Sequence, residues 1–174
     1  IRQMITLSKA PVIASHSSAR ALNDHSRNLD DEQLTLVKDN GGVVQTVAFK
    51  TYVNQDKQSL YNNKISGIRD AIVDSLNIQW YSWTEFSGLD NNIKNEFLKN
   101  RNTVMKLAEA KVKSMTDFPP QVDVSDFVDH IDYMVHKIGL KHVGISSDFD
   151  GGGGVDGWND ASETLNVTLE LVKR

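Results

Sequence analysis

Two residues able to handle a metal or a proton stand directly behind short apolar runs. His16 follows Pro11-Val12-Ile13-Ala14, within Ser15-His16-Ser17-Ser18-Ala19, and Asp148 follows His142-Val143-Gly144-Ile145, within Ser146-Ser147-Asp148-Phe149-Asp150-Gly151. If both runs are strands, both side chains lie at strand C-terminal tips, where parallel α/β folds carry their chemistry. A neutral imidazole there suits zinc ligation or proton transfer; its ordinary alternative is a hydrogen-bonded strand end. If the second strand continues past its apolar run, Asp148 and Asp150 share one face and Phe149 takes the other. The competing reading is a turn, since Asp-Gly is a turn signal. Arg27 lies in the loop after the first strand. Its planar guanidinium matches a carboxylate in two-point fashion, so it is a candidate for a substrate's C-terminal carboxylate; the alternative is a solvated loop arginine.

The elements that must position these residues alternate. The stretch 1–9 reads as helix, and Pro11 opens a buried strand over 11–15. Residues 16–30 are polar and irregular. Acids at Asp30, Asp31 and Glu32 open a helix where its dipole favours them, with Leu34 and Val37 on its apolar face. Gly41-Gly42 ends it, and 43–49 reads as a second strand. The stretch 54–117 reads as a mostly helical insertion rich in Asn, Lys and Gln, in which Trp80, Trp83, Phe86 and Leu89, spaced by three, predict one apolar helix face. Pro119-Pro120 breaks the chain. Phe127, Val128, Ile131, Met134, Val135 and Ile138 give the clearest helical period, over 124–139, with Asp123 or Ser125 as cap and Gly139 at the end. A strand at 142–145 follows, then a glycine-rich stretch at 151–154 that serves close backbone approach or loop mobility, then helix over 161–174. This order predicts a parallel sheet with helical crossovers.

Composition narrows the function classes. The 174 residues include no cysteine, so disulfides, thiolate zinc sites and thiol nucleophiles are excluded, and any metal must be held by His, Asp or Glu. A net charge of −4 offers no footprint for nucleic acid. The four consecutive glycines match neither phosphate-loop pattern. His130 and His136 lie about 240° apart around one helix and cannot share a metal, and His142 begins a strand, so all three read as structural. Asn166-Val167-Thr168 is a glycosylation sequon only formally, since it lies within a predicted helix.

The two motifs together resemble the membrane (renal) dipeptidase family, the M19 metallopeptidases. The first stretch is Ala10-Pro11-Val12-Ile13-Ala14-Ser15-His16-Ser17-Ser18-Ala19-Arg20 with Arg27-Asn28 and Asp30-Asp31. The second is Asp129-His130-Ile131-Asp132 followed by His142 through the Asp148-Phe149-Asp150-Gly151 turn. The Gly-rich stretch and Trp158-Asn159-Asp160 are similar to the bacterial branch, and 54–117 is the variable part. The resemblance implies an α/β fold, the C-terminal half of a (β/α)8 barrel of the metal-dependent hydrolase type, with 1–174 as the C-terminal portion of one barrel domain. It implies a two-zinc site that hydrolyses dipeptides, some with a D-residue at the C-terminal position. By motif position His16 would be a zinc ligand, Arg27 would hold the substrate carboxylate, and Asp148 would be the proton-handling catalytic carboxylate.

The resemblance also implies that the family's other metal and substrate residues belong to an N-terminal half, which would precede Ile1. The expectation is therefore a C-terminal fragment that is inactive alone and needs the N-terminal half of the same enzyme as partner, with a dipeptide as substrate, a homodimer as assembly, and the periplasm or another exported location. Two other classes fit the residues: a non-catalytic peptide-binding barrel protein that keeps Arg27, and another amidohydrolase-like metal hydrolase.

Overall fold

The computed structural model describes all of residues 1–174. The chain forms two compact units, one of residues 1–58 with 121–174 and one of residues 59–120.

The first unit is built on β1 (Ile13–Ala14), β2 (Val43–Val47) and β3 (Val143–Ser146), all parallel, in the order β1-β2-β3. Helix α1 (Arg2–Leu7) precedes β1, and α2 (Asp31–Asp39) connects β1 to β2. Asp30 caps α2 through a reciprocal box with Gln33, which satisfies amide donors that the first helical turn leaves unpaired. At its other end Asn40 Oδ1 accepts the Val12 amide at 2.7 Å, tying the helix exit to the strand entrance.

Helix α7 (Val124–Ile138) packs on the same sheet face, and α8 (Thr164–Lys173) packs against it. Asp123 caps α7, and Gly139, at φ +89°, lets the chain turn out of it. Its Met134 and Ile138 meet Leu34 and Val37 of α2 over Ala14 and Val44. Its Phe127, Val128 and Ile131 enter a second cluster with Val53, Val122, Val155 and Trp158. The expected helical period of 124–139 is thus used on two sides of one stripe.

The run 11–15, expected as a buried strand, gives only two strand residues, and Ile13 is 62% exposed while Val12 and Ala14 are buried. The reason is position: β1 is an edge strand, and only alternate residues face the helices. The second strand ends at Val47, two residues short of its expected end, because Phe49 turns into the N-cap of α3 (Lys50–Val53).

The second unit is helical. It contains most of α4 (Gln55–Ser75), with α5 (Trp83–Gly88) and α6 (Asn91–Lys113). Here the expected single apolar face at 80–89 is corrected. Trp80 precedes α5, Ser82 caps it at residue 83, and Trp83 stays 60% exposed. Trp80, Tyr81, Trp83 and Phe86 instead gather around the buried Phe97 of α6, with ring centroids 5.4, 5.6, 6.3 and 5.5 Å away. Spacing by three arose from a loop and one short helix folding over a common ring.

Candidate active site

His16 lies two residues past β1, half-buried at the C-terminal end of the sheet. Its Nδ1 is 2.7 Å from Ser15 Oγ, and its Nε2 is 3.0 Å from a terminal nitrogen of Arg27. A guanidinium only donates, so Nε2 accepts and the ring proton sits on Nδ1, facing Ser15. Arg27 lies 5.8 Å over the ring of Tyr52, which also packs against the rings of His25 and Phe49, both at 4.5 Å. Arg27 forms no ion pair, and its only hydrogen bond from the side chain goes to His16.

The loop that carries Arg27 is fastened from below. Helix α3 ends at Val53 and leaves carbonyl groups without helical partners, as every helix end does. Asn23 Nδ2 donates to the carbonyls of Thr51 and Tyr52, at 2.9 and 3.0 Å. The buried Asn28 donates to Asn23 and Tyr52 carbonyls at 2.9 and 2.7 Å, and its Oδ1 accepts the Ser18 amide at 3.2 Å. His130, buried on α7, accepts the Ala19 amide at Nδ1 (3.0 Å), so its proton sits on Nε2 and is given to the Val53 carbonyl (2.8 Å). Burial pulls this imidazole below the ordinary histidine range, against the opposing pull of the Val53 carbonyl, Asp129 and Asp126. His130, read as structural, joins the two halves of the rim.

Asp148 lies two residues past β3. The strand does not continue through it: Asp148 adopts a left-handed conformation (φ +53°, ψ +31°) and starts a tight turn over Phe149–Gly151. Asp148 and Asp150 therefore do not line one strand face, and the turn reading holds. The half-buried Asp148 carboxylate accepts no hydrogen bond from the chain. Its turn is closed by the Gly151 and Gly153 amides on the Asp148 carbonyl, at 3.0 and 2.7 Å, and by the Gly154 amide on Ala48 (2.6 Å). A Cβ on Gly153 would overlap the Ser147 carbonyl, so close backbone approach accounts for this glycine. Gly154 also pairs with Phe49 in a parallel bridge, which links the Asp148 loop to the Phe49–Tyr52 ring stack.

All three sequence-predicted site residues thus lie beyond strand C-termini, and the structure brings His16 and Arg27 into direct contact. It makes no hydrogen bond or ion pair between Asp148 and either of them. Tyr52 was missed. The strand-tip rule applied to β2, which ends at Val47, would have pointed to its segment. No group of three or more His, Asp or Glu side chains is placed to hold a metal ion. His16 is one imidazole donor whose Nε2 lone pair already faces Arg27.

A family model described as membrane dipeptidase, peptidase family M19, matches residues 1–174. Dipeptidase aclJ of Aspergillus oryzae is 28% identical over 174 residues, covering 99% of this chain and 27% of its own length. Dipeptidase 3 of Macaca fascicularis is 52% identical over 44 residues, which are 25% of this chain and 9% of that protein. The solved structure of the probable dipeptidase PvdM from Pseudomonas aeruginosa is 37% identical with a TM-score of 0.62, covering 99% of this chain and 42% of that one. A metallopeptidase from Rhodobacter sphaeroides, liganded with a phosphinate mimic of L-Ala-D-Ala, has a TM-score of 0.58 at 18% identity over 99% of this chain and 32% of its own, a likeness of fold. The chain spans about a quarter of the length of the full-chain curated relatives it matches, 27% and 26% for the first two. Its parallel sheet and crossover helices are part of the TIM-barrel metal-hydrolase fold of these structures. With its whole length matched by the family model and the strand-tip motifs in place, the chain belongs to the membrane dipeptidase family, peptidase family M19.

Proposed function

We propose that this chain supplies the carboxylate-recognising side of a metal-dependent dipeptidase, whose reaction is hydrolysis of the single peptide bond of a dipeptide. One observation carries the reading: Arg27 stands at the rim, backed by the Tyr52 ring, with no acidic partner in the chain. A dipeptide carries a free carboxylate one residue from its single peptide bond. A guanidinium with unused donors is the group that recognises it. In this reading Asp148 takes a proton from the attacking water and passes it to the leaving amine; its carboxylate, free of protein donors, is available for that exchange.

Zinc enters the proposal as the family's metal: His16 would give it the Nε2 lone pair, which Arg27 would then leave while staying over the Tyr52 ring. The other donors would come from residues outside 1–174. Export from a bacterial cytoplasm belongs to the same reading, and cell fractionation tests it.

The test uses the full-length natural protein. Arg27→Gln is expected to lower kcat/KM for a dipeptide by about 10- to 100-fold, the loss of a charged hydrogen bond of about 1.5–3 kcal/mol. Its effect on the same dipeptide with an amidated C-terminus is expected to be small. Chelation is expected to abolish hydrolysis, and zinc to restore it. Equal loss on both substrates would remove the carboxylate assignment. Full activity in chelator would remove the metal.

A further inference from the structure

We infer that His130 is a positioning residue for carboxylate recognition, acting with Asn23 and Asn28 as a clamp that sets where Arg27 stands. The inference rests on the reading of Arg27 given above, but its structural part stands apart from it. Arg27 is exposed and sits on an irregular loop, the kind of segment that normally leaves an arginine mobile. Its guanidinium packs over the Tyr52 ring at 5.8 Å, a contact that zinc ligation by His16 would leave in place. Arg27 and Tyr52 belong to different arms of the rim, one leaving β1 and the other leaving β2.

The arms are joined by buried or half-buried polar side chains that each touch both. His130 takes the Ala19 amide from the first arm and gives its proton to the Val53 carbonyl of the second. Asn28, the neighbour of Arg27, takes the Ser18 amide and donates to Tyr52. Asn23 donates to Thr51 and Tyr52 and accepts the Gln55 amide at 3.0 Å. His130 comes from a third element, α7, whose apolar stripe is fixed in both hydrophobic clusters. The spacing of the arms is therefore referenced to the core. Each ring nitrogen of His130 is committed, so the imidazole cannot shift toward one arm without leaving a buried backbone group unpaired. Loosening the clamp should move Arg27 off Tyr52 while leaving His16 and Asp148 on their strand ends, so substrate affinity suffers more than turnover.

The experiment compares wild type, Arg27→Gln, His130→Leu and Asn23→Ser in the full-length protein. Asn23 is partly exposed, so its variant keeps the test alive if His130→Leu fails to fold. Each clamp variant is expected to raise KM for a dipeptide about tenfold with kcat within about threefold, and to erase much of the preference for the free acid over the C-terminal amide. Combined with Arg27→Gln, a clamp substitution is expected to add little, since both act on one contact. Crystal structures of the folded variants are expected to show Arg27 displaced from Tyr52. A variant that loses kcat equally on acid and amide, with Arg27 unmoved, would overturn the clamp and leave His130 a packing residue. If Arg27→Gln itself leaves the acid preference intact, the functional reading fails, and the position of Arg27 in the clamp variants still decides this inference.

Discussion

His130 shows how one side chain can be structural by burial and still matter to the site. It is 2% exposed and must be neutral to accept the Ala19 amide. Because burial holds its proton affinity below that of a histidine in the unfolded chain, the unfolded state binds the proton first as pH falls. Its contribution to stability is therefore complete above the unfolded value of about 6.5 and is lost as pH falls from there toward the folded value. Urea unfolding midpoints measured between neutral and mildly acid pH are expected to decline for wild type and to decline less for His130→Leu. Asp123 adds a second, lower window. Burial opposes ionisation of its carboxyl, but the Lys57 ammonium, 3.0 Å away, and the α7 amides outweigh that and hold it below the usual carboxylate range. That stability is present above the unfolded value of about 3.9 and is lost at more acid pH.

At the scale of elements, the caps and turns place the site. Asp123 caps α7, pairs through Lys57 with Asp126, and so fixes the start of the helix that carries His130. Asp123→Ala is expected to cost about 1–2 kcal/mol, a typical cap loss, measurable by denaturant titration. The Asp148 turn depends on Gly153, where any side chain meets the Ser147 carbonyl. Gly153→Ala is expected to reduce kcat of the full-length protein through displacement of Asp148, with KM little changed. In the helical unit, Phe97 is the ring on which four aromatic side chains converge. Phe97→Ala is expected to cost about 3–5 kcal/mol, and hydrogen exchange should locate the loss within residues 59–120.

For the molecule as a whole, the parallel sheet is the dominant fact. Its three strands leave β1 and β3 as edges within the chain, with Ile13 62% and Ile145 45% exposed. Unpaired strand edges beside exposed β-branched residues template further pairing. A solution of the 174-residue chain is expected to self-associate with rising concentration, as light scattering would show, and Ile13→Lys with Ile145→Lys is expected to reduce it. No helix is long and apolar enough to cross a membrane.

The sequence by itself determined the features whose causes are local. The α7 stripe, the acid-led start of α2, the glycine exits of both helices and the strand-tip places of His16 and Asp148 all follow from periodicity, capping chemistry and chain breaks within a few residues. Only the tertiary structure decided that Arg27 meets His16 and Tyr52, that Asp148 sits in a left-handed turn, and that the aromatics at 80–86 enclose Phe97. The first two are not written in the period of any one element, and the clamp behind Arg27 depends on segments far apart in the chain, 111 residues in the bond from Ala19 to His130. No local pattern encodes which carbonyl a buried histidine will meet. That is settled when the hydrophobic clusters bring α7 against the sheet and the helix-end carbonyls of α3 must find donors.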